Sequence, residues 1–188
     1  MRSIKYYDKN AEILAKRYDS ADMREFYEFI IPYLKGKTLL DIGCGSCRDV
    51  AFFTSLGFDV ECVEPSIEFR KICSKKDSSI KIYNQKLPHI KLSKKYDVVT
   101  LIGVWMHLRK FYYVKAIENL KSLLKRKGVL ILSFSTKKRD GFDSINTKNL
   151  KFLFLKNGFR LLKENISNDS LDRKIDWVTQ VYILDKIT

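Results

Sequence analysis

Two short stretches carry the residue types that bind a nucleotide-like ligand. The run Asp41-Ile42-Gly43-Cys44-Gly45-Ser46-Cys47-Arg48-Asp49 goes from an apolar strand end through a glycine turn into a helix start. Gly43 and Gly45 permit the tight turn and let backbone approach a ligand, which the free N–H groups of the helix start then face. A lone Gly-x-Gly is weak evidence. What strengthens it is Val60-Glu61-Cys62-Val63-Glu64-Pro65-Ser66. There a second strand ends in a carboxylate, Glu64, about twenty residues on, at the spacing of a ribose-binding acid. The alternative for Glu64 is an exposed strand-end acid.

Further along, Gly103-Val104-Trp105-Met106-His107 follows a fourth strand, at the carboxyl edge where such sheets bind ligands. Imidazole titrates near neutrality, so His107 is a candidate general base. A histidine that merely fixes this loop is the favoured alternative, because soft acceptors such as thiolates need no strong base. Trp105 is either a pocket wall or core. Tyr6, Tyr7 and Tyr18 are candidates for a lid, or for a helix face packed on the sheet. Arg139, in the basic run Lys137-Lys138-Arg139, could read an anionic substrate, but a solvated loop is favoured. The pair Cys44-x-x-Cys47 in isolation suggests a redox pair or half a zinc site. Cys62 and Cys73 form no second paired knuckle, so they are read as core packing and no metal site is expected.

The chain has 188 residues, 45% of them hydrophobic, which suits one globular domain (residues 1–188) with a sizeable core. No apolar run approaches the roughly eighteen residues of a membrane span, and no signal peptide is visible, so a reducing cytoplasm is the expected setting. The net charge is +14, from 36 basic and 22 acidic residues. That could signal nucleic acid. The lysines are spread along the chain, however, and a solvated surface is favoured.

Elements to position these residues follow from periodicity. Residues 1–35 read as an N-terminal helical cap, with apolar spacing at Ala11, Leu14, Ala15 and Tyr18, and with Ser20 as N-cap of a second helix. Strands are expected at Lys37–Ile42, Phe58–Val63, Ile80–Tyr83, Tyr96–Ile102 and Val129–Phe134, and helices up to Leu56, over Ser66–Ser74, Lys110–Lys125 and Thr147–Lys156. Gly128 is expected to close the Lys110–Lys125 helix. Phe159–Glu164 and Trp177–Leu184 are separated by a polar loop with no helix signal, as in antiparallel neighbours. The fold class is therefore α/β, a Rossmann-like doubly wound seven-stranded sheet, mostly parallel with a C-terminal antiparallel hairpin.

On these residues the chain resembles a class I S-adenosylmethionine-dependent methyltransferase over nearly its whole length. The glycine loop, Glu64, Tyr96-Asp97-Val98-Val99, Leu124-Lys125-Arg126-Lys127-Gly128-Val129-Leu130 and the terminal hairpin carry the likeness. Within that class it is most similar to the small tellurite-resistance and thiopurine-type enzymes, through Tyr7-Asp8-x-Asn10-Ala11, Ala21-Asp22-Met23, Gly45-Ser46-x-Arg48-Asp49, Trp105-Met106-His107-Leu108, Ser133-Phe134, Asp169, Arg173 and Trp177. The family pattern has glycine where this chain has Cys47, which makes the Cys44/Cys47 pair an accident of packing.

The resemblance implies S-adenosylmethionine as cofactor and methyl transfer to a small-molecule acceptor, by a monomer or homodimer away from membranes. It implies that Asp41 and the Gly43–Gly45 backbone hold the methionine moiety and that Glu64 accepts both ribose hydroxyls, with Pro65 stiffening the turn behind it. Asn84 or Gln85 is expected at the adenine edge. Tyr18, Cys44, Arg48, Gly103 and Val104 are expected around the cofactor, and Tyr7, Trp105, His107 and Arg139 around the substrate. A nucleic-acid methyltransferase is the alternative. Against it, Ile102-Gly103-Val104-Trp105 stands where base-nitrogen enzymes carry an Asp/Asn-Pro-Pro-aromatic loop.

Overall fold

The computed structural model describes residues 2–137, 144–169, 171 and 175–185. The chain opens with helices α1 (Arg2–Asp19) and α2 (Arg24–Ile30), the latter continued by a 3-10 turn at Ile31–Tyr33. Strand β1 (Thr38–Ile42), helix α3 (Arg48–Ser55), strand β2 (Asp59–Val63), helix α4 (Ile67–Lys76) and strand β3 (Lys81–Tyr83) follow. Then come β4 (Tyr96–Ile102), α5 (Tyr113–Leu123), β5 (Leu124–Ser135), α6 (Thr147–Lys156), β6 (Phe159–Asn168) and β7 (Asp176–Leu184).

The strands form one seven-stranded sheet in the order β3-β2-β1-β4-β5-β7-β6. The first five pair in parallel, and β7 runs antiparallel to both β5 and β6. This is the expected doubly wound sheet with a terminal hairpin. Strand order reverses between β1 and β4, which opens a crevice at their carboxyl ends.

Alternation along the strands sorts the core onto two faces. Leu39, Val98, Val129, Ile131 and Val181 pack on one face with Ile30 of α2 and Phe53 of α3. Their neighbours Leu40, Val99, Leu101, Leu130 and Leu132 pack on the other with Ile117 and Leu120 of α5 and Phe154 of α6. Burial on both faces explains the continuous apolar run of β4. Truncating Leu101, which is fully buried, to alanine is expected to cost about 2–5 kcal/mol. Leu14 and Ala15 of α1 pack on Phe69 of α4, so the first helix lies against α4.

Four local expectations are corrected. Ser20 does not cap α2; its hydroxyl donates back to the Arg17 carbonyl, and the helix begins at Arg24, whose N–H is met by Asp22 Oδ1. Leu124 already belongs to β5, paired with Tyr96, so α5 ends earlier than its lysine-rich tail suggests. Lys127, not Gly128, takes the left-handed conformation there. Finally, Cys73 is more than packing, because a disulfide joins it to Cys47.

Candidate active site

The crevice holds one cavity of about 790 Å³. Its floor is the glycine loop. Gly43 has φ +75°, and a Cβ there would meet a Val104 methyl at 2.4 Å, so both the conformation and the close approach demand glycine. Gly43 N–H donates to the Val63 carbonyl at 2.6 Å, binding the loop to the end of β2. Arg48, at the start of α3, reaches back to the Tyr18 carbonyl and pairs with Asp49. Tyr27 donates to the same carboxylate at 2.6 Å. These bonds tie the loop to α1 and α2.

Two buried carboxyls flank the loop. Glu64, at the end of β2, accepts from Gly45 N–H at 3.0 Å and from Ser66 N–H at 2.8 Å. Burial pushes its pKa up against those two bonds. Each oxygen keeps a second lone pair, so the carboxylate could still accept hydroxyls from the cavity. Asp41 is also buried; Thr100 donates to Oδ1 at 2.7 Å, and Oδ2 has no partner among the described residues. Burial first, then the charges of Asp49 and Glu64, push its pKa up to about 7.

Across the cavity, Tyr7 Oη and His107 Nε2 lie 2.9 Å apart, with their rings edge to face. This bond joins α1 to the 3-10 turn Trp105–His107 beyond β4. The far wall is built by the hairpin and β5, where Thr179 donates to Ser133 Oγ at 3.2 Å and Trp177 Nε1 donates to Asp169 at 2.8 Å.

The expected residues Tyr7, Tyr18, Gly43, Cys44, Gly45, Arg48, Glu64, Pro65, Gln85, Gly103, Val104 and His107 all line this cavity. Asp41 lies beneath it. Asn84 is turned away, accepting from Arg70 at 3.1 Å. The Gln85 amide is taken up by both the N–H and the carbonyl of Lys91, which leaves its backbone and stem as the part facing the cavity. Trp105 is not a wall: it is fully buried between Tyr113 and Phe154, with centroids 5.1 and 5.4 Å away. Arg139 lies outside the described residues. Sequence reasoning missed the acids of the rim, Asp22, Glu25 and Glu28, which also line the cavity. Their alternation with apolar Met23 and Phe26 was the available signal.

Comparison with known proteins agrees with this fold. A family described as a methyltransferase domain matches residues 14–173. No curated protein matches by sequence. Among solved structures, 1,6-didemethyltoxoflavin-N1-methyltransferase of Burkholderia thailandensis, with bound 1,6-didemethyltoxoflavin and S-adenosylhomocysteine, superposes with TM-score 0.78 at 14% identity, covering 97% of this chain and 87% of that one. Magnesium protoporphyrin IX methyltransferase of Synechocystis PCC 6803, with S-adenosylhomocysteine, gives 0.77 at 17% identity, covering 97% and 98%. The N-methyltransferase NodS of Bradyrhizobium japonicum WM9, also with S-adenosylhomocysteine, gives 0.72 at 11%, covering 94% and 100%. At such identities the likeness is one of fold.

Proposed function

The chain belongs to the methyltransferase-domain family, and on that premise we propose that it transfers a methyl group from S-adenosylmethionine to a small-molecule acceptor. The observation that carries this reading is the continuous cavity that runs from the glycine loop and Glu64 to the Trp177–Asp169 wall. Its volume falls in the range that takes small ligands, about 300–1,000 Å³. The residues fit the donor: a glycine floor without side chains, a buried acceptor pair at Glu64, and the orphaned Asp41 Oδ2 beneath. All three structures named above share this fold and hold S-adenosylhomocysteine.

When bound, the sulfonium donor supplies an electrophilic methyl carbon. The protein's part is then to align the acceptor behind that carbon, exclude water and take up a proton if the acceptor carries one. Glu64 holds the ribose, the Gly43–Gly45 backbone the amino-acid tail, and Tyr18 and Tyr7 close over them. Tyr7 Oη, bonded to His107 Nε2, takes the acceptor's proton while passing its own to Nε2, or the pair orients the loop when the acceptor is already anionic. His107→Gln is expected to lower turnover about 10²–10⁴-fold in the first case and much less in the second.

The reading extends to one domain over residues 1–188, a monomer or homodimer in the cytoplasm, and kinship with the tellurite-resistance and thiopurine-type enzymes. The motif around Tyr7 and His107 supports that kinship. No helix among the described residues is long and apolar enough to cross a membrane. Calorimetric titration with S-adenosylmethionine and S-adenosylhomocysteine tests the donor; absence of binding by the parent overturns it. Retained affinity in Glu64→Ala removes the ribose role. Labelled methyl transfer into a metabolite extract, total tRNA and DNA tests the acceptor. Incorporation into nucleic acid alone overturns the small-molecule reading.

A further inference from the structure

All four cysteines of the chain meet beneath the cofactor loop. Cys44 and Cys47 come from the loop, Cys62 from β2 and Cys73 from α4, and with Val50 they form one buried cluster. Cys47 and Cys73 are joined, with Cα atoms 5.4 Å apart, and Cys44 Sγ lies 3.6 Å from Cys47 Sγ. Cys47 is also the N-cap of α3, and it sits at φ 60°, ψ 25°, a left-handed conformation that disfavours any side chain. A residue with a Cβ at that point has to be held there by its surroundings. The bond to Cys73 holds it, together with the turn bond from Cys47 N–H to the Cys44 carbonyl at 2.9 Å.

We propose that the Cys47–Cys73 disulfide is a reversible oxidative clasp that fixes the glycine loop in its cofactor-binding shape. This rests on the S-adenosylmethionine reading for its effect, though not for its existence. With the bond closed, Gly45 N–H stays on Glu64 and the loop is pinned to α4. With it open, Cys47 is free to leave the left-handed region, and the Cys73 sulfur finds an acceptor 3.5 Å away in the Gly45 carbonyl. Closure is a balanced reaction with a peroxide. One thiol takes an oxygen to become a sulfenic acid and releases water; the second thiol displaces that oxygen as a second water while the S–S bond forms. The two thiols together lose two protons and two electrons, and the peroxide becomes two waters. A dithiol reductant reverses the bond and is itself oxidised to a disulfide.

A metal bound by the same sulfurs is the competing chemistry, since Cys44, Cys47 and Cys62 present sulfurs within 4.8 Å of one another. Such a site needs thiolates. With Cys47 spent on the bond to Cys73, only Cys44 and Cys62 remain as free thiols, two ligands where a closed site takes four. A disulfide is neutral and suits an apolar pocket beside two carboxylates.

The test uses the whole chain, treated with hydrogen peroxide or with dithiothreitol and then alkylated after denaturation. Two of the four cysteines are expected to escape alkylation after peroxide, and none after dithiothreitol. S-adenosylhomocysteine is expected to bind the oxidised form about fivefold to tenfold more tightly. Cys47→Gly and Cys73→Ser are expected to bind equally under both treatments. Equal affinity in both forms of the parent, looser binding on oxidation, or alkylation of all four cysteines after peroxide overturns the proposal. So does one zinc per chain by elemental analysis. If neither form binds S-adenosylhomocysteine, the cofactor reading fails, and the clasp is judged by amide exchange of residues 43–49. Oxidation must slow that exchange, and unchanged exchange overturns the clasp.

Discussion

Asp41 is the buried carboxyl beneath the glycine loop, with one oxygen bonded to Thr100. Burial and the neighbouring Asp49 and Glu64 hold its carboxyl up to about 7, so the folded chain keeps that proton where an unfolded one loses it. Its contribution to stability is therefore complete below about pH 4 and is lost as pH rises through about 7. A cationic ligand seated above the loop favours the ionised form and expels the proton. S-adenosylmethionine affinity is thus expected to rise between about pH 6 and about pH 8, with up to about one proton released per molecule bound, read from calorimetry in buffers of different ionisation heat. Asp41→Asn should flatten that profile, and a parent that is already flat would sink the idea. Asp41 and Glu64 were legible in the sequence because strand ends and a fixed spacing place them. Trp105 was not, since an aromatic just beyond a strand reads the same whether its turn points it at the cavity or into the core. The Cys47–Cys73 contact was equally hidden, because it joins a loop to the side of a helix through packing alone.

Asp97 does at the element scale what no periodic pattern announces. It stands at the start of β4 and accepts from Lys37 N–H at 3.1 Å, from Thr38 N–H at 3.0 Å and from the Thr38 hydroxyl at 2.7 Å. Lys125 of β5 reaches it at 2.9 Å, so one carboxylate fastens three adjacent strands. Gly36 is glycine for the same reason, because a Cβ there would come within 2.3 Å of the Asp97 carboxyl carbon. Partial burial raises the Asp97 pKa, but Lys125, Lys37 and Thr38 outweigh it and hold the group well below the usual carboxylate range. A lowered acid stabilises above its unfolded pKa and loses that contribution as pH falls below it. Asp97→Asn is expected to cost about 2–3 kcal/mol in urea unfolding at neutral pH, with the difference from the parent shrinking as pH drops below about 4. A constant difference across that range would show that the charge is not what matters. The strands themselves were readable, since β4 is buried on both faces and its run of apolar residues records that. The end of α5 was not: Lys125 and Arg126 look like a helix terminus by charge, yet Leu124 pairs with Tyr96 across the sheet. Register between strands is a tertiary fact that overrides the local signal.

The whole molecule carries a net charge of +14, and yet the mouth of its cavity is acidic. Asp22, Glu25, Glu28 and Asp169 line it against Arg24, Arg48 and Lys86, and of these cations Arg24 and Arg48 are engaged by Asp22 and Asp49, so the acids outnumber the bases. A polyanion drawn to the basic surface would meet repulsion where its reacting group had to enter, whereas an amine-bearing acceptor would be attracted. The two cases differ in how they answer salt. An acceptor held by six to ten phosphate contacts loses about 10³–10⁵ in affinity between about 50 and about 200 mM salt, because each neutralised phosphate releases counterions. A small acceptor with one or two charges, screened over a Debye length of about 10 Å, should change kcat/KM by less than about tenfold over the same range. Labelled methyl transfer into a panel of amine-bearing and carboxylate-bearing metabolites is expected to favour the amines. Glu25→Lys with Glu28→Lys should lower kcat/KM for the favoured amine by about tenfold, through KM, without weakening S-adenosylhomocysteine binding. A carboxylate preferred over every amine would overturn the assignment of the rim, and a steep salt slope on transfer into RNA would mean that the +14 surface, not the acidic mouth, selects the acceptor.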